Sequence, residues 1–193
     1  MFHVNAIRRT LMPAPTRTSR EAWIDAGLAA LADGGPDAVR IDAIAQTLGV
    51  SRGGFYHQFD SRPAFLEELL DTWERRSTEE VLDRVEREGG DARTKVGRAG
   101  MLTFSDALLP VDLAVRDWSR RDSTVADRLK RVDNGRMDYL RTQIATFRPN
   151  EDDVEALALL AFSMAIGNHF VATDHGGRSR TQVLRRATEL LFE

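Results

Sequence analysis

Apolar residues recur at helical spacing along most of this chain, and one short stretch shows the pattern with particular clarity. Positions 41–59 read IDAIAQTLGVSRGGFYHQF. Ile41, Ile44, Ala45 and Leu48 lie three or four residues apart, which predicts an amphipathic helix of about two turns. Gly49 predicts the end of this helix, because glycine adopts the left-handed conformation after a helix without a Cβ penalty.

A second short helix is predicted directly after this glycine turn. Ser51 can cap it by accepting a hydrogen bond from a backbone N–H. Phe55 and Phe59 are expected on one side, packed in a core. The other side is expected to present Arg52, Gly53, Gly54, Tyr56 and His57. Two helices joined by a tight glycine turn are typical of a helix-turn-helix unit, whose second helix can enter the major groove of DNA.

Helices are predicted on both sides of this pair. Residues 18–21 fit a capping box, in which Thr18 and Glu21 satisfy each other's backbone donors at the start of a helix. That helix is predicted to end at Gly34-Gly35-Pro36. A further helix is predicted to start around Pro63, since proline is tolerated in a first turn. Residues 18–66 are therefore expected to form a three-helix domain that contains the helix-turn-helix.

The remaining residues, 67–193, are also expected to be helical. Apolar spacing, glycine breaks and prolines predict helices over 64–88, 93–107, 110–120, 123–147, 151–174 and 179–192. The chain shows neither an internal repeat nor the alternation that is typical of strands. The predicted fold class is all-α, with an N-terminal helix-turn-helix domain and a C-terminal helical domain.

Composition narrows the functional classes. A net charge of −3 argues against a protein that coats nucleic acid without selectivity. The absence of cysteine excludes a disulfide framework and a thiolate zinc site. No apolar run approaches the roughly 20 residues of a membrane span, and the N-terminus lacks the pattern of a secretory signal. The chain is therefore expected to be cytoplasmic, without a membrane partner.

The beginning of the chain carries a concentration of positive charge. Arg8, Arg9, Arg17 and Arg20 are the only charged side chains among the first 20 residues. Residues 1–17 are expected to form a flexible basic arm, which can lie along phosphates or enter the minor groove. A disordered start of the chain without a DNA contact is the alternative.

The stretch AWIDAGLAALADGGPDAVRIDAIAQTLGVSRGGFYHQFDSRPAFL resembles the N-terminal DNA-binding domain of the tetracycline-repressor (TetR) family. The residues that match the family's first helix are Trp23, Ile24, Ala26, Gly27, Leu31 and Gly35. Those that match its helix-turn-helix core are Ile44, Ala45, Gly49, Val50, Ser51, Arg52, Gly53, Tyr56, Phe59 and Arg62. Two positions depart from the family pattern. Arg40 stands where a Thr or Ser usually caps the second helix, and Gly54 where a Thr or Ser often faces bases.

The resemblance implies a homodimeric, ligand-responsive transcriptional repressor that binds a palindromic operator in double-stranded DNA. The residues expected to contact DNA are Arg40, Ser51, Arg52, Gly53, Gly54, Tyr56, His57 and Arg62. Arg52 is expected to read a base, since arginine pairs with guanine through two hydrogen bonds. Those expected mainly to hold phosphates are Ser51, Tyr56, His57 and Arg62.

In this family the C-terminal domain encloses a small effector. Residues 67–193 are accordingly expected to bind an unidentified, largely apolar small molecule. The residues expected around it are Met101, Phe104, Leu108, Trp118, Phe147, Phe162, Asn168 and His169. By spacing alone, a set of aromatic and methionine residues in helices also fits an ordinary hydrophobic core, and that alternative stays open.

The last two predicted helices are expected to form the dimer. Ala158, Ala161 and Ala165 give the longer helix a smooth stripe, and TetR-like proteins pair two such helices per subunit in a four-helix bundle. The interface is expected to include Leu157, Ala161, Met164, Ala165, Leu184, Ala187 and Leu191. An internal core of the subunit is the alternative for these residues.

No enzyme, cofactor or metal site is predicted. The chain has no nucleophile motif, P-loop or dinucleotide-binding fingerprint, and His169, Asp174 and His175 are poorly spaced for a metal site on a helix. Three alternatives to the repressor remain. They are an architectural or constitutive DNA-binding protein without an effector, a transcriptional activator of the same fold, and a small helical enzyme.

Overall fold

The computed structural model describes residues 18–193, which fold into α-helices joined by turns and loops without a strand. The all-α fold class predicted from the sequence is therefore confirmed. The predicted basic arm, residues 1–17, lies outside the described residues. Within the described range, no helix is both long enough and apolar enough to cross a membrane.

The helices follow one another in the order that the apolar pattern predicts. The first four are α1 (Arg20–Gly34), α2 (Ile41–Thr47), α3 (Arg52–Tyr56) and α4 (Arg62–Glu74), with a 3-10 turn at Pro36–Ala38. A π-helical segment, Arg75–Glu79, joins α4 to α5 (Glu80–Glu88). The others are α6 (Ala92–Thr103), α7 (Leu109–Ser119), α8 (Ser123–Ala145), α9 (Glu151–Gly167) and α10 (Arg180–Phe192).

Helix α1 has a different N-cap from the one predicted. Ser19 is the N-cap, and its Oγ accepts a hydrogen bond from Ala22 N at 3.1 Å. The predicted capping box is therefore wrong, because Thr18 lies before the helix, where its carbonyl oxygen accepts a hydrogen bond from Gln58 Nε2 at 2.7 Å. The helix ends as predicted, since Gly35 follows it with a φ of 70° that favours glycine.

Aromatic side chains hold the helix-turn-helix together. Phe55 of α3 is fully buried, and its ring centroid lies 5.5 Å from that of Trp23, 5.0 Å from Phe59 and 5.3 Å from Phe65. The prediction that Phe55 and Phe59 lie in the core is confirmed. Because α3 rests on this cluster through Phe55, its opposite side faces solvent.

Helices α1 and α4 approach closely at Gly27. A Cβ atom added at this position would lie 2.6 Å from Phe65 Cζ and 2.9 Å from Leu69 Cδ2. Both neighbours are fully buried, so neither can move aside without disturbing the core. Glycine is therefore required here by close packing, since the backbone of α1 is ordinary helix.

Gly27→Ala is expected to lower the free energy of unfolding by about 1–3 kcal/mol, because the extra methyl group overpacks the core. Gly97→Ala in α6 is the matched control, since nothing lies within 4 Å of a Cβ added there. Alanine is the better helix former by about 1 kcal/mol, so the control should hold or gain stability. Urea unfolding of the parent and both variants measures the two changes. A Gly27→Ala variant as stable as the parent would contradict the packing described here.

Residues 62–88 form one continuous helix, in agreement with the helix predicted over 64–88. The π-helical turn at Arg75–Glu79 was not predicted, and Ser77 within it is buried and donates a hydrogen bond to Trp73 O at 2.6 Å. The expected domain boundary between residues 66 and 67 falls inside α4. The core around Trp23 also continues into α7 and α8 through Val115 and Val125. The N-terminal and C-terminal parts therefore share one hydrophobic core.

Helix α9 is shorter than predicted, because it ends at Gly167 rather than near residue 174. Arg180 Nη1 donates to Asn168 O at 2.5 Å, and its Nη2 donates to Val171 O at 2.5 Å. These bonds satisfy carbonyl groups that would otherwise bond within a longer helix. The loop after α9 consequently exposes two large apolar side chains, Phe170 and Val171.

Candidate nucleic-acid interface and ligand cavity

The outer side of α3 is a polar and aromatic surface. Arg52, Tyr56 and His57 are exposed there. The Tyr56 ring meets the buried Phe55 ring edge-on, with centroids 5.1 Å apart, while 55% of the tyrosine remains exposed. The Tyr56 ring thus packs against Phe55 on one side, and the rest of the side chain is open to a binding partner. With this exposure, Tyr56 is not an ordinary core residue.

Arg52 is held loosely beside α2. Its Nε lies 2.8 Å from Asp42 Oδ1, and the two side chains are 61% and 60% exposed. An ion pair with this exposure contributes only about 0–1 kcal/mol, because water screens both charges. The guanidinium of Arg52 can therefore exchange Asp42 for a stronger acceptor at the surface.

Two expectations about the start of α3 need correction. Ser51 occupies the N-cap position, but its hydroxyl accepts no capping hydrogen bond, and Gly54 N donates instead to Ser51 O at 3.0 Å. The sequence pattern also placed Gly54 on the outer side. A Cβ atom at Gly54 would lie 3.8 Å from Trp23 Cζ2, so this position faces the core. Gly53 is exposed, and because it has no side chain, the backbone of α3 is accessible at this position.

The other two expected DNA contacts differ in their availability. Arg40 is exposed at the N-cap of α2, where its side chain makes no capping bond. Arg62 is half-buried, since its Nε donates to Val39 O at 2.8 Å and its Nη2 donates to Pro36 O. Arg62 thus ties the start of α4 to the turn before α2, and a phosphate contact would have to use the remaining N–H groups of its Nη1 and Nη2.

Arg20, which the sequence pattern assigned only to the charged start of the chain, supports the helix-turn-helix. Its guanidinium lies 4.3 Å from the centroid of the Phe59 ring. Its Nε donates to Glu68 Oε1 at 2.8 Å. Arg20 therefore links α1 to α4 across the end of the helix-turn-helix. No local signal in the sequence shows this link, because its partners lie about 40 residues away or more.

A cavity of about 1200 Å³ lies among α6, α8, α9 and α10. Most of its wall is apolar or aromatic. Five of the residues predicted to surround a ligand line it, namely Met101, Phe104, Phe162, Asn168 and His169. In the part of the chain that the structure describes, no group of three His, Asp or Glu side chains could hold a metal ion.

The other three residues predicted for the ligand site lie elsewhere. Trp118 is half-buried and packs against the core that includes Trp23. Phe147 meets Phe192 edge-on at 5.7 Å, beneath the guanidinium of Arg93. Leu108 lines a separate, smaller cavity beside α5. These three assignments are corrected, because residue type alone did not reveal which neighbours each helix face would have.

Two buried charged side chains, Asp112 and Arg136, and two partly buried ones, Arg116 and Asp133, form a network beside the cavity. Arg136 Nη2 donates to Asp112 Oδ1 at 2.8 Å, and Arg116 Nε donates to Asp112 Oδ2 at 2.8 Å. Arg116 also donates two hydrogen bonds to Asp133, at 2.8 and 2.7 Å. Burial by itself lowers the pKa of Arg116, but the carboxylates of Asp133 and Asp112 outweigh it and hold the pKa above its ordinary value. The network joins α7 to α8.

The exposed end of the cavity carries charged side chains of both signs. Arg93 and Arg185 line it, and neither forms an ion pair with another residue of 18–193. Two carboxylates, Glu189 and Glu193, also line this end, but each accepts a hydrogen bond from Arg186. An anionic group that reaches this end would therefore meet two guanidinium groups without carboxylate partners.

The face of α9 and α10 that was predicted to form a dimer points into the subunit. Ala161 is buried in a core with Leu140 and Ile144. Three more of the predicted interface residues, Met164, Ala165 and Leu184, line the cavity. The exposed apolar side chains of this region are different ones, namely Leu159, Leu160, Phe170, Val171 and Leu190. We call these five residues the apolar face. The other three predicted interface residues, Leu157, Ala187 and Leu191, are half-buried, and the dimer interface itself stays a prediction.

Comparison with known families accounts for the N-terminal part of the chain. Residues 24–69 match the family model described as bacterial regulatory proteins, tetR family. The matched segment runs from α1 through the helix-turn-helix into α4. This segment of the chain is similar to the TetR family. The resemblance that the motif residues indicated is thus confirmed.

Several solved structures share the TetR fold along nearly the whole chain. The TetR-family regulator PfmR from Thermus thermophilus superposes with a TM-score of 0.64 and 16% identity, covering 90% of this chain and 97% of its own. FadR from Bacillus subtilis, in complex with stearoyl-CoA, gives 0.63 and 17%, covering 91% and 98%. AibR, in complex with isovaleryl coenzyme A and operator DNA, gives 0.63 and 14%, covering 89% and 97%. A search of curated proteins gave no match.

Proposed function

We propose that this protein is a homodimeric transcriptional repressor of the TetR family that binds a palindromic operator and leaves it when a small molecule fills the cavity. The proposal rests on the exposed polar and aromatic side chains on the outer side of α3. Arg52, Tyr56 and His57 project there from a helix fixed by a buried aromatic cluster. Such a surface suits the major groove, where a recognition helix contacts base edges near its N-terminus.

Within this surface, Arg52 is proposed as the base reader. It is the first residue of α3, and Gly53 beside it carries no side chain that would hold the helix away from the groove. Phosphate contacts are assigned to Tyr56, His57 and Arg40, which lie exposed around it. Base contacts carry sequence information, whereas phosphate contacts mainly fix position.

Arg52→Ala is expected to relax specificity at one position in each half-site, at a loss of about 1–3 kcal/mol of discrimination. Tyr56→Phe is the matched comparison, because it removes a phosphate-binding hydroxyl and should weaken binding to all sites about equally. Both variants are measured by fluorescence anisotropy on an operator series with single base changes. An unchanged base preference in Arg52→Ala would contradict this role.

The apolar face is proposed as the dimer interface. Its five side chains are each more than half exposed and lie on α9, α10 and the loop between them. Large apolar surfaces of this kind are uncommon on monomers and mark sites of association. A second copy would bury this face and place two α3 helices for two half-sites.

The effector is proposed to be an acyl group joined to an anionic headgroup, such as an acyl-coenzyme A. The apolar cavity wall suits the chain, and Arg93 and Arg185 at its exposed end suit the headgroup. Two proteins of similar fold, FadR and AibR, are known in complex with acyl-coenzyme A molecules. Titration of the protein–operator complex with stearoyl-CoA, decanoyl-CoA and isovaleryl-CoA tests this proposal. Release of the protein from the operator by at least one of these molecules supports the proposal. If none of them releases it, a constitutive DNA-binding protein is the better account.

The route from the cavity to the DNA is proposed to run through α7 and the continuous helix α4–α5. Helix α7 packs against α1, and the charge network joins α7 to the cavity wall on α8. Arg128 of α8 also pairs with Glu67, Asp71 and Glu74 of α4. A ligand can shift the protein away from its DNA-binding conformation only if it binds a second conformation more tightly. The contacts of α7 and α8 named above are the ones that we expect to differ between the two conformations.

A further inference from the structure

Asp42 is an exposed carboxylate beside the residue that we assign to base reading. It is the second residue of α2, and its side chain is 60% exposed. Its Oδ1 lies 2.8 Å from Nε of Arg52, the first residue of α3. A carboxylate at this place repels the phosphates of DNA. Phosphate binding, the role of the other exposed polar side chains around Arg52, therefore does not account for Asp42.

Stability does not account for this position either. The ion pair joins two side chains that are 61% and 60% exposed, and such a pair contributes little because water screens both charges. A carboxylate in the first turn of α2 also interacts favourably with the helix dipole. The dipole does not require contact with Arg52, however, so it explains an acidic residue in this turn but not the pairing with the base reader.

The hydrogen-bonding groups of Arg52 and Asp42 match the major-groove edge of a G·C base pair. That edge presents two adjacent acceptors, guanine N7 and O6, followed by one donor, the N4 amino group of cytosine. A guanidinium offers donors only, and an ionised carboxylate offers acceptors only. An A·T pair places the adenine amino group between its two acceptors, so it offers Arg52 no adjacent pair of acceptors.

The spacing of the two side chains fits the same base pair. Guanine O6 and cytosine N4 are joined by a base-pair hydrogen bond, whose ordinary length is about 2.9 Å. Nε of Arg52 and Oδ1 of Asp42 are 2.8 Å apart. The two side chains can therefore meet the two bases without separating from each other. Gly53 next to Arg52 is exposed and has no side chain, so this position does not hold α3 away from the groove.

We propose that Asp42 is a second specificity-determining residue, which accepts a hydrogen bond from the N4 amino group of the cytosine paired with the guanine that Arg52 reads. This inference rests on the proposed role of α3 in reading DNA. It deepens that role by naming the base pair and the residue that reads its second half. At a reversed C·G pair, Asp42 would face the acceptors of guanine, so the same carboxylate also rejects the wrong orientation.

Chemically modified duplexes test the two contacts separately. The duplex is the sequence that the parent enriches from a random DNA pool, and the pair modified in each half-site is the G·C pair whose preference Arg52→Ala loses. In one duplex 7-deazaguanine removes N7, the acceptor for Arg52. In the other, N4-methylcytosine keeps the base pair but replaces the amino hydrogen that points into the major groove. By fluorescence anisotropy, each change should weaken binding of the full-length parent about tenfold.

Asp42→Ala should bind the N4-methylcytosine duplex and the unmodified duplex about equally, while keeping the loss at 7-deazaguanine. Asp37→Ala is the matched control, because Asp37 is exposed in the turn before α2 and does not pair with Arg52, whose carboxylate partner is Asp42. It removes the same charge, so any general gain in DNA affinity should appear in both variants. Asp37→Ala should keep both losses of the parent.

The measurements on the parent need no variant of Asp42 to fold. Equal binding of the parent to the N4-methylcytosine and unmodified duplexes would overturn the role of Asp42, and a loss at 7-deazaguanine would still support base reading by α3. A loss at N4-methylcytosine that persists in Asp42→Ala would assign the amino group to another residue. An enriched motif without a G·C pair that depends on Arg52 would also overturn the inference. A pool without any enriched motif would overturn both proposals together.

Discussion

Asp112→Ala is expected to lower the free energy of unfolding by about 3–5 kcal/mol, the largest effect of a single substitution on stability that we anticipate. Asp112 is fully buried and accepts hydrogen bonds from both Arg136 and Arg116. Its removal leaves two guanidinium groups in the interior with only Asp133 to balance them. Breaking a buried ion pair from one side is costly because the remaining charge stays out of water without a partner. Chemical unfolding followed by circular dichroism measures the change.

Asp117→Ala provides the matched control on the same helix. Asp117 pairs with Arg121 at 2.6 Å, but both side chains are about two-thirds exposed, at 67% and 66%. Loss of such a surface pair should change stability by about 0–1 kcal/mol. If Asp112→Ala were no more destabilising than Asp117→Ala, the network would contribute little to the free energy of unfolding. It could then not couple α7 to α8.

If the proposed dimer forms through the apolar face, Leu160→Glu is expected to convert it into a monomer and to weaken binding to the proposed operator by about 100-fold or more. Leu160 belongs to the apolar face and is 54% exposed. A carboxylate placed in a dry interface has no partner there and must lose its hydration. A monomer then binds each half-site alone and loses the gain from linked binding, which is about 10²–10⁴-fold. Sedimentation velocity and anisotropy on the operator measure the two effects.

Met101→Glu is the control for the dimer prediction. Met101 is the most exposed large apolar residue of the described range, at 68%, but it lies on α6 rather than on the apolar face. The Met101→Glu variant should remain dimeric with an unchanged helical content. A Leu160→Glu variant that still sediments as a dimer would move the interface to another surface.

The helix-turn-helix could be predicted closely because its signals are local. Gly35 and Gly49 both take positive φ angles, 70° and 67°, where the sequence predicted helix ends. Phe55 and Phe59 lie four residues apart, so helical spacing alone placed both in the core. The side of α3 that faces outward followed from the same spacing, except at Gly54, which lies close to Trp23.

The C-terminal half was less predictable because its helices are apolar on more than one side. In α9, Leu157, Leu159, Leu160 and Ala161 are close neighbours, and periodicity does not show which pair is buried. The structure buries Ala161 and exposes Leu159 and Leu160. The spacing of apolar residues therefore does not show which side of α9 is buried, because that depends on the packing of α8 and α10 against it.

The charge network shows a second limit of prediction from the sequence. The sequence contains Asp112 and Arg116 at a spacing of four and Asp133 and Arg136 at a spacing of three, each typical of an exposed pair on one helix. Their burial arises because the two pairs face each other across α7 and α8. A contact between two helices has no local signature in the sequence, so this network could not be predicted before the fold was known.

The central claim is that the protein reads DNA sequence as a dimer through α3. Selection of bound sequences from a random double-stranded DNA pool, followed by sequencing, tests this claim most directly. We expect one enriched palindromic motif whose half-sites lie one DNA turn apart or a multiple of it. Repeating the selection with Arg52→Ala should lose the preference at one position in each half-site. A pool without an enriched motif, or a motif without two-fold symmetry, would contradict the claim.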